Sequence, residues 1–151
     1  YLHDRLSARI LGLPPNGHGR RMSFAHIPIP RMGNTMLGPG DATPEDIIKS
    51  VKKGFYAHSF QGGQVEDTGK FTFSVNLGYM IEDGKLGAPI KDVNIMGNGP
   101  KLLANITMLG NDLEMSPFGA SYCGKDGQSA LVGLGMPTAL VKSLTVGGTQ
   151  G

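Results

Sequence analysis

The chain has 151 residues, a length that suits a single domain, 1–151, and no linker divides it. Its 24 glycines and 10 prolines follow no Gly-X-Y period and are separated by apolar runs such as 71–81, which excludes both a collagen-like and a low-complexity disordered chain. A net charge of +2 with only small basic clusters argues against direct nucleic-acid binding, and no apolar run approaches the roughly 18 residues of a membrane span. The lone cysteine cannot form an internal disulfide, so a reducing, cytoplasmic compartment is expected.

The chain opens on Tyr1, inside an amphipathic pattern, as a piece of a longer protein would. Leu2, Leu6, Ile10 and Leu13 recur at helical spacing and predict a short helix over 2–11, stopped by Pro14-Pro15-Asn16-Gly17. Pro28 and Pro30 force extended backbone at Ile27 and Ile29, so 18–31 reads as an ordered arm. The clearest helix start is Thr43-Pro44-Glu45-Asp46: a capping hydroxyl, a proline preset for the first helical position, and two acids at the positive end of the dipole. That helix is expected over 44–53, with Ile47, Ile48 and Val51 inward, Lys49, Lys52 and Lys53 at its solvated end, and Gly54 as its stop.

Strict alternation follows in Phe71, Phe73, Val75 and Leu77, a period of two. Asp83-Gly84 supplies the positive φ of a hairpin turn between arms at 79–81 and 86–88. A further helix is expected over 100–109, after Asn98-Gly99, with Leu102, Leu103 and Ile106 on its apolar face. Strands are expected at 93–96, 112–115, 130–134 and 140–146, with Pro137 at an edge or in a loop. The sum is an α+β fold, mainly antiparallel β (a twisted sheet, or a barrel-like or sandwich arrangement), with two to three short helices.

Chemistry-bearing patterns are few. His3, His18, His26 and His58 share no metal-site spacing, and no His-Glu-x-x-His, Cys-x-x-Cys, Walker loop or Gly-x-Ser-x-Gly pattern occurs. The Gly97-Asn98-Gly99-Pro100 segment reads as a turn into a helix or an anion site at that helix's N-terminus. Cys123 stands between glycine-containing turns in Tyr122-Cys123-Gly124-Lys125-Asp126-Gly127-Gln128, where Lys125 favours the thiolate. The residues alone leave it open as a small buried hydrophobe, a nucleophile or a metal ligand, and a nucleophile needs a histidine base that the nearby sequence lacks. Arg20, Arg21 and Arg31 are open as partners of a peptide carboxylate, as solvated surface or as intersubunit ion pairs.

Ten segments, in order and spanning nearly the whole chain, carry a resemblance. They are Asp4-Arg5 to Gly12, Gly17-His18-Gly19-Arg20-Arg21, Ala25-His26 to Met32, Asn34-Thr35, Thr43-Pro44-Glu45, Gly62-Gly63-Gln64-Val65, Ile81 to Lys85, Gly110-Asn111-Asp112, Cys123 to Gln128, and Leu144 to Thr149. Together they resemble the C-terminal part of the TldD/PmbA family, also called modulators of DNA gyrase. The resemblance implies a zinc peptidase whose His-Glu-x-x-x-His helix, giving two ligands and a general base, precedes the segment that aligns with Tyr1. Cys123, by its Cys-Gly-Lys-x-Gly-Gln context, matches the distant third ligand and so favours the TldD-type, zinc-bearing subunit over the PmbA/TldE type. His18 and His26, which lie in matched segments, are more readily explained by backbone groups of the arm than as further ligands. No His-Glu-x-x-x-His is present here, so the fragment is expected to hold no catalytic residue, to bind zinc weakly or not at all, and to be inactive alone. The family further implies a peptide substrate, unfolded or small, cleaved within an enclosed chamber built with a PmbA/TldE-type partner or a homo-oligomer. The rival reading is a non-catalytic scaffold that forms the chamber wall and binds a partner.

Overall fold

The computed structural model describes residues 3–66, 68–116 and 121–148. In chain order the elements are α1 (Arg5–Leu11), β1 (Gly19–Arg20), β2 (Ile29–Pro30), β3 (Thr35–Met36), α2 (Pro44–Ser50), β4 (Lys53–Val65), β5 (Lys70–Glu82), β6 (Lys85–Ile90) and β7 (Val93–Asn98). They continue with α3 (Gly99–Ala104), β8 (Ile106–Leu109), β9 (Glu114–Met115), β10 (Ser121–Lys125), β11 (Gln128–Val132), β12 (Leu134–Met136), β13 (Ala139–Val141) and β14 (Thr145–Gly148). The α+β class is as expected: mainly antiparallel strands in open sheets, with three short helices among the described residues.

The chain divides into two compact units, each built from two stretches: Tyr1–Gly38 with Leu113–Met136, and Pro39–Asp112 with Pro137–Gly151.

In the second unit, β5 is the central strand. β4 pairs along its whole length on one side, and β7 and β6 share the other, with β14 outside β7. The alternation read from Phe71 to Leu77 lies within β5, where Val75 is fully buried along with Ile81. At the β5–β6 turn Asp83 and Gly84 both have positive φ, 45° and 75°, as the hairpin signal requires.

α2 begins where the sequence places it, with Thr43 accepting from the Asp46 N–H at 3.2 Å, but it ends at Ser50, not Lys53. The cause is competition from the sheet. Val51 is extended, the carbonyls of Val51 and Lys52 accept from Gly84 and Asp83 at 2.9 and 2.8 Å, and Gly54 is a β4 residue opposite Ile81, not a helix stop. The helix expected over 100–109 likewise stops at Ala104, because Ile106–Leu109 pairs with β13 as β8. The stretch 140–146 falls into two strands, β13 and β14, which serve different sheets.

In the first unit, α1 starts at Arg5 because Asp4 caps it, its carboxylate accepting from the Ser7 N–H at 2.6 Å, and Gly12 at φ 66° closes it. Residue 2, where that helix was expected to begin, and Thr149 of the last matched segment lie outside the described residues. The arm folds back on itself as the small β1–β2 pair, extended by the Arg31 N–H donating to the His18 carbonyl at 2.9 Å. The same unit holds the β10–β11 hairpin and the three-stranded β3–β12–β9 sheet, in which β12 runs parallel to β3.

Candidate metal centre

Cys123 lies in the middle of β10, not in a loop. The hairpin signal for this strand is Asp126-Gly127, both at positive φ (50° and 71°), which closes a two-residue turn between the paired Lys125 and Gln128. The register then sets Cys123 opposite Ala130. Opposed residues of an antiparallel pair share a face, and β11 alternates strictly, with Gln128, Ala130 and Val132 buried and Ser129 and Leu131 exposed. Cys123 is therefore on the inner face, half-buried, while Tyr122 and Leu131 form the outer pair.

The arm is fastened to this hairpin by side chains that reach backbone groups. Arg20 donates to the carbonyls of Met32 and Leu131, the latter at 2.6 Å. Gln128 accepts from the Met22 N–H and donates to the Ile27 carbonyl, both at 3.1 Å, and Lys125 donates to the Pro30 carbonyl at 3.3 Å. Arg31 is 1% exposed. Its Nη2 donates to the carbonyls of Cys123 and Gln128, the latter at 3.0 Å, so one guanidinium grips both strands of the hairpin. That burial removes the solvated-surface reading of Arg31. Nε and Nη1 of the same group are buried with no hydrogen-bond partner among the described residues.

The electrostatics at the thiol follow from this packing. Burial raises the Cys123 pKa, but the Arg31 side chain, the Met32 backbone N–H and the charges of Arg31 and Arg20 more than offset it, and the thiol lies below its ordinary value. Lys125, the cation singled out in the sequence, is instead engaged with Pro30. The surroundings thus suit a sulfur that must be an anion to act as a ligand, and a soft thiolate is a donor that zinc accepts.

Of the other candidates, His26 and His3 have their rings engaged locally. His26 Nδ1 pairs with the Ser23 hydroxyl at 2.8 Å, His18 offers its backbone carbonyl to Arg31, and His3 Nε2 lies 3.0 Å from the Pro14 carbonyl. Among the described residues no three of His, Cys, Asp and Glu gather as a metal-holding group. No helix among them is long and apolar enough to cross a membrane. The Gly110-Asn111-Asp112 segment has a local structural use in the second unit. Asp112 accepts from the Thr138 hydroxyl at 2.7 Å and the Thr138 N–H at 3.0 Å, and these bonds outweigh burial to lower its pKa.

Comparison with known proteins bears on the whole chain. Residues 1–148 match the model of the PmbA/TldA metallopeptidase C-terminal domain. A metalloprotease TldD homolog of Buchnera aphidicola is 46% identical over 150 residues, 99% of this chain and 31% of that protein. A zinc metalloprotease TldD homolog of Saccharolobus solfataricus is 35% identical over 148 residues, 98% of this chain and 33% of that protein. The chain therefore spans about a third of the length of these relatives. Among solved structures, a proposed modulator of a DNA gyrase from Thermotoga maritima superposes with a TM-score of 0.70 at 27% identity, over 97% of this chain and 30% of the other. TldE from Thermococcus kodakarensis has the same fold, with a TM-score of 0.75 at 21% identity over 98% of this chain and 31% of the other. With the family's model matched over all but its last three residues, the chain belongs to the PmbA/TldA metallopeptidase family, as its C-terminal domain.

Proposed function

We propose that this chain is the C-terminal domain of a zinc-dependent peptidase of the TldD type, and that Cys123 is one protein ligand of its zinc. The observation that carries the reading is the setting of the thiol: an inner-face position on the β10–β11 hairpin, with a buried guanidinium and a backbone N–H that favour its anion. The name of the Saccharolobus relative supports zinc as the metal.

When bound by three protein ligands, zinc supplies an open coordination position and lowers the pKa of a water there to about 7. The task of this chain is narrower. Cys123 donates its sulfur, the β10–β11 hairpin fixes where that sulfur stands, and Arg20 and Arg31 of the arm, with Gln128 of the hairpin, hold the two together. The general base and the two imidazoles belong to the upstream part of the parent chain. The β sheets form the wall of an enclosed chamber that takes unfolded or small peptides. An extended peptide adds to such a wall as a strand, through main-chain hydrogen bonds that read little of its sequence. The chamber is completed by a PmbA/TldE-type partner or by further copies of the chain, in the cytoplasm.

The test compares the 151-residue chain with its full-length parent, using mixed unfolded peptides as substrate. The parent is expected to cleave them and to stop on chelation, and the isolated chain is expected to show no chelator-sensitive cleavage. Cleavage by the isolated chain refutes the division of labour. A parent that neither holds zinc nor cleaves peptides leaves the scaffold reading in its place.

A further inference from the structure

The turn at 22–27, in the arm of the first unit, is tied at its base and within. Gln128 clasps the base, accepting from the Met22 N–H and donating to the Ile27 carbonyl, both at 3.1 Å. Inside the turn the Ser23 hydroxyl meets His26 Nδ1 at 2.8 Å, and the His26 N–H donates to the Ser23 carbonyl at 3.1 Å. Yet Phe24 is 90% exposed and Ile27 79%. An exposed apolar side chain is ordinary by itself. One held out by a turn that is already ordered meets a partner without the cost of ordering a loop.

The charge around this turn is one-sided. All five arginines of the chain lie within 5–31, and no Asp or Glu occurs over 5–40. Arg20 and Arg31 are spent on backbone carbonyls. Arg21, next to the turn, is exposed and has no hydrogen bond or ion pair among the described residues. Aromatic side chains and arginine are enriched at the centres of protein interfaces. The surface that complements such a tip is an apolar groove with a carboxylate on its rim.

The second unit carries such a groove. Ala42, Ile106, Met108 and Leu109 line an open cleft of about 340 Å³, with the exposed Asp41 on its rim, room enough for one aromatic side chain. Backbone bonds preform it: the Ala42 N–H donates to the Leu109 carbonyl at 3.3 Å and the Gly40 N–H to the Gly110 carbonyl at 2.8 Å. Asp41, like Arg21, has no hydrogen bond or ion pair among the described residues. We propose that the 22–27 turn of one copy docks in this groove of a second copy, with Phe24 filling the cleft and Arg21 pairing with Asp41 in a charge-assisted contact. The proposal rests on the assembly from further copies named above and gives it a contact; it makes no use of the zinc assignment.

The experiment uses the full-length parent as wild type, Phe24→Ser, Arg21→Glu, Asp41→Lys and the double variant that carries both charge reversals. Sedimentation velocity over a concentration series, alone and with a PmbA/TldE-type subunit, reads association; melting temperature and zinc content are measured on the same samples. Wild type is expected to self-associate. Phe24→Ser is expected to weaken this at least about 30-fold, as loss of an interface anchor does, and each charge reversal at least about 10-fold. The double variant restores an opposite-charge pair and is expected to recover most of that loss. All three side chains are exposed, so melting temperatures are expected to stay at the wild-type value. A monomeric wild type overturns the proposal, as does self-association that Phe24→Ser leaves intact or a double variant no better than its single variants. A lowered melting temperature in Phe24→Ser places the tip against the remainder of the parent chain. Association lost only with the PmbA/TldE-type subunit makes that subunit the occupant. Either result overturns docking between copies. Zinc separates the two readings: a parent without zinc that still associates through the tip counts against the peptidase reading alone, and a zinc-bearing monomer counts against this one alone.

Discussion

Replacing Cys123 by Ala in the full-length parent is expected to reduce zinc retention more than about 100-fold, beyond the range typical of losing a residue that merely supports a ligand. Peptide cleavage should fall at least as far, since on the proposed ligand set only two protein ligands would remain, and such a centre would hold zinc poorly. Stability should change little. Cys123 is only half-buried and pairs with the small Ala130, so truncating its side chain removes little apolar contact, about 1 kcal/mol. The dissociation of the two effects is the informative part, and it is read by metal analysis, cleavage rate and thermal melting on the same preparation. A variant that loses activity together with its fold would point to a packing role instead.

The largest stability effect is expected far from the thiol in sequence, at Gly40. A Cβ built there would overlap the Leu109 carbonyl oxygen and stand 2.8 Å from the Leu109 Cβ. That carbonyl accepts from Ala42, and the same short segment is fastened by Gly40 donating to Gly110 at 2.8 Å and Asn111 donating to Ala42 at 2.8 Å. A methyl group at Gly40 must push this backbone-on-backbone contact apart and weaken bonds on both sides of it, and neither side is a flexible side chain that can yield. Gly40→Ala is therefore expected to cost about 2–3 kcal/mol. Gly62→Ala is the control, because a Cβ there meets nothing within 4 Å and an exposed strand position gains from losing glycine's freedom. Denaturant unfolding of the two variants should separate them clearly. Equal midpoints would contradict the packing argument.

Which parts of this architecture could be read from sequence depended on whether one local signal stood unopposed. The start of α2 was legible because Thr43, Pro44, Glu45 and Asp46 all favour the same event, and β5 because Phe71 to Leu77 alternate without a break. The Asp83-Gly84 turn was legible for the same reason. β4 was not. Three glycines, Gly54, Gly62 and Gly63, dilute its apolar pattern, and register shifts between Ala57 and Gly62 break its period of two. Helix ends were overrun wherever the following residues had a strand partner elsewhere, as at Val51 and at Ile106, since propensity is a weak preference that tertiary pairing overrides.

For the candidate site, sequence singles out Cys123 as a candidate but does not show its setting. Asp126-Gly127 carries the same two-residue hairpin signal as Asp83-Gly84, and it was available to place Cys123 on a strand. Arg31 gave no such sign. The sequence left it open as a partner of a peptide carboxylate, as solvated surface or as an intersubunit ion pair, and only the fold of the arm over the hairpin turns the guanidinium inward.

The most direct test of the central claim is X-ray absorption at the zinc edge of the full-length parent. If Cys123 is a ligand, the first shell holds one sulfur at about 2.3 Å together with nitrogen or oxygen at about 2.0–2.2 Å, and the sulfur disappears in Cys123→Ala. A first shell of nitrogen and oxygen alone in the wild-type protein contradicts the assignment.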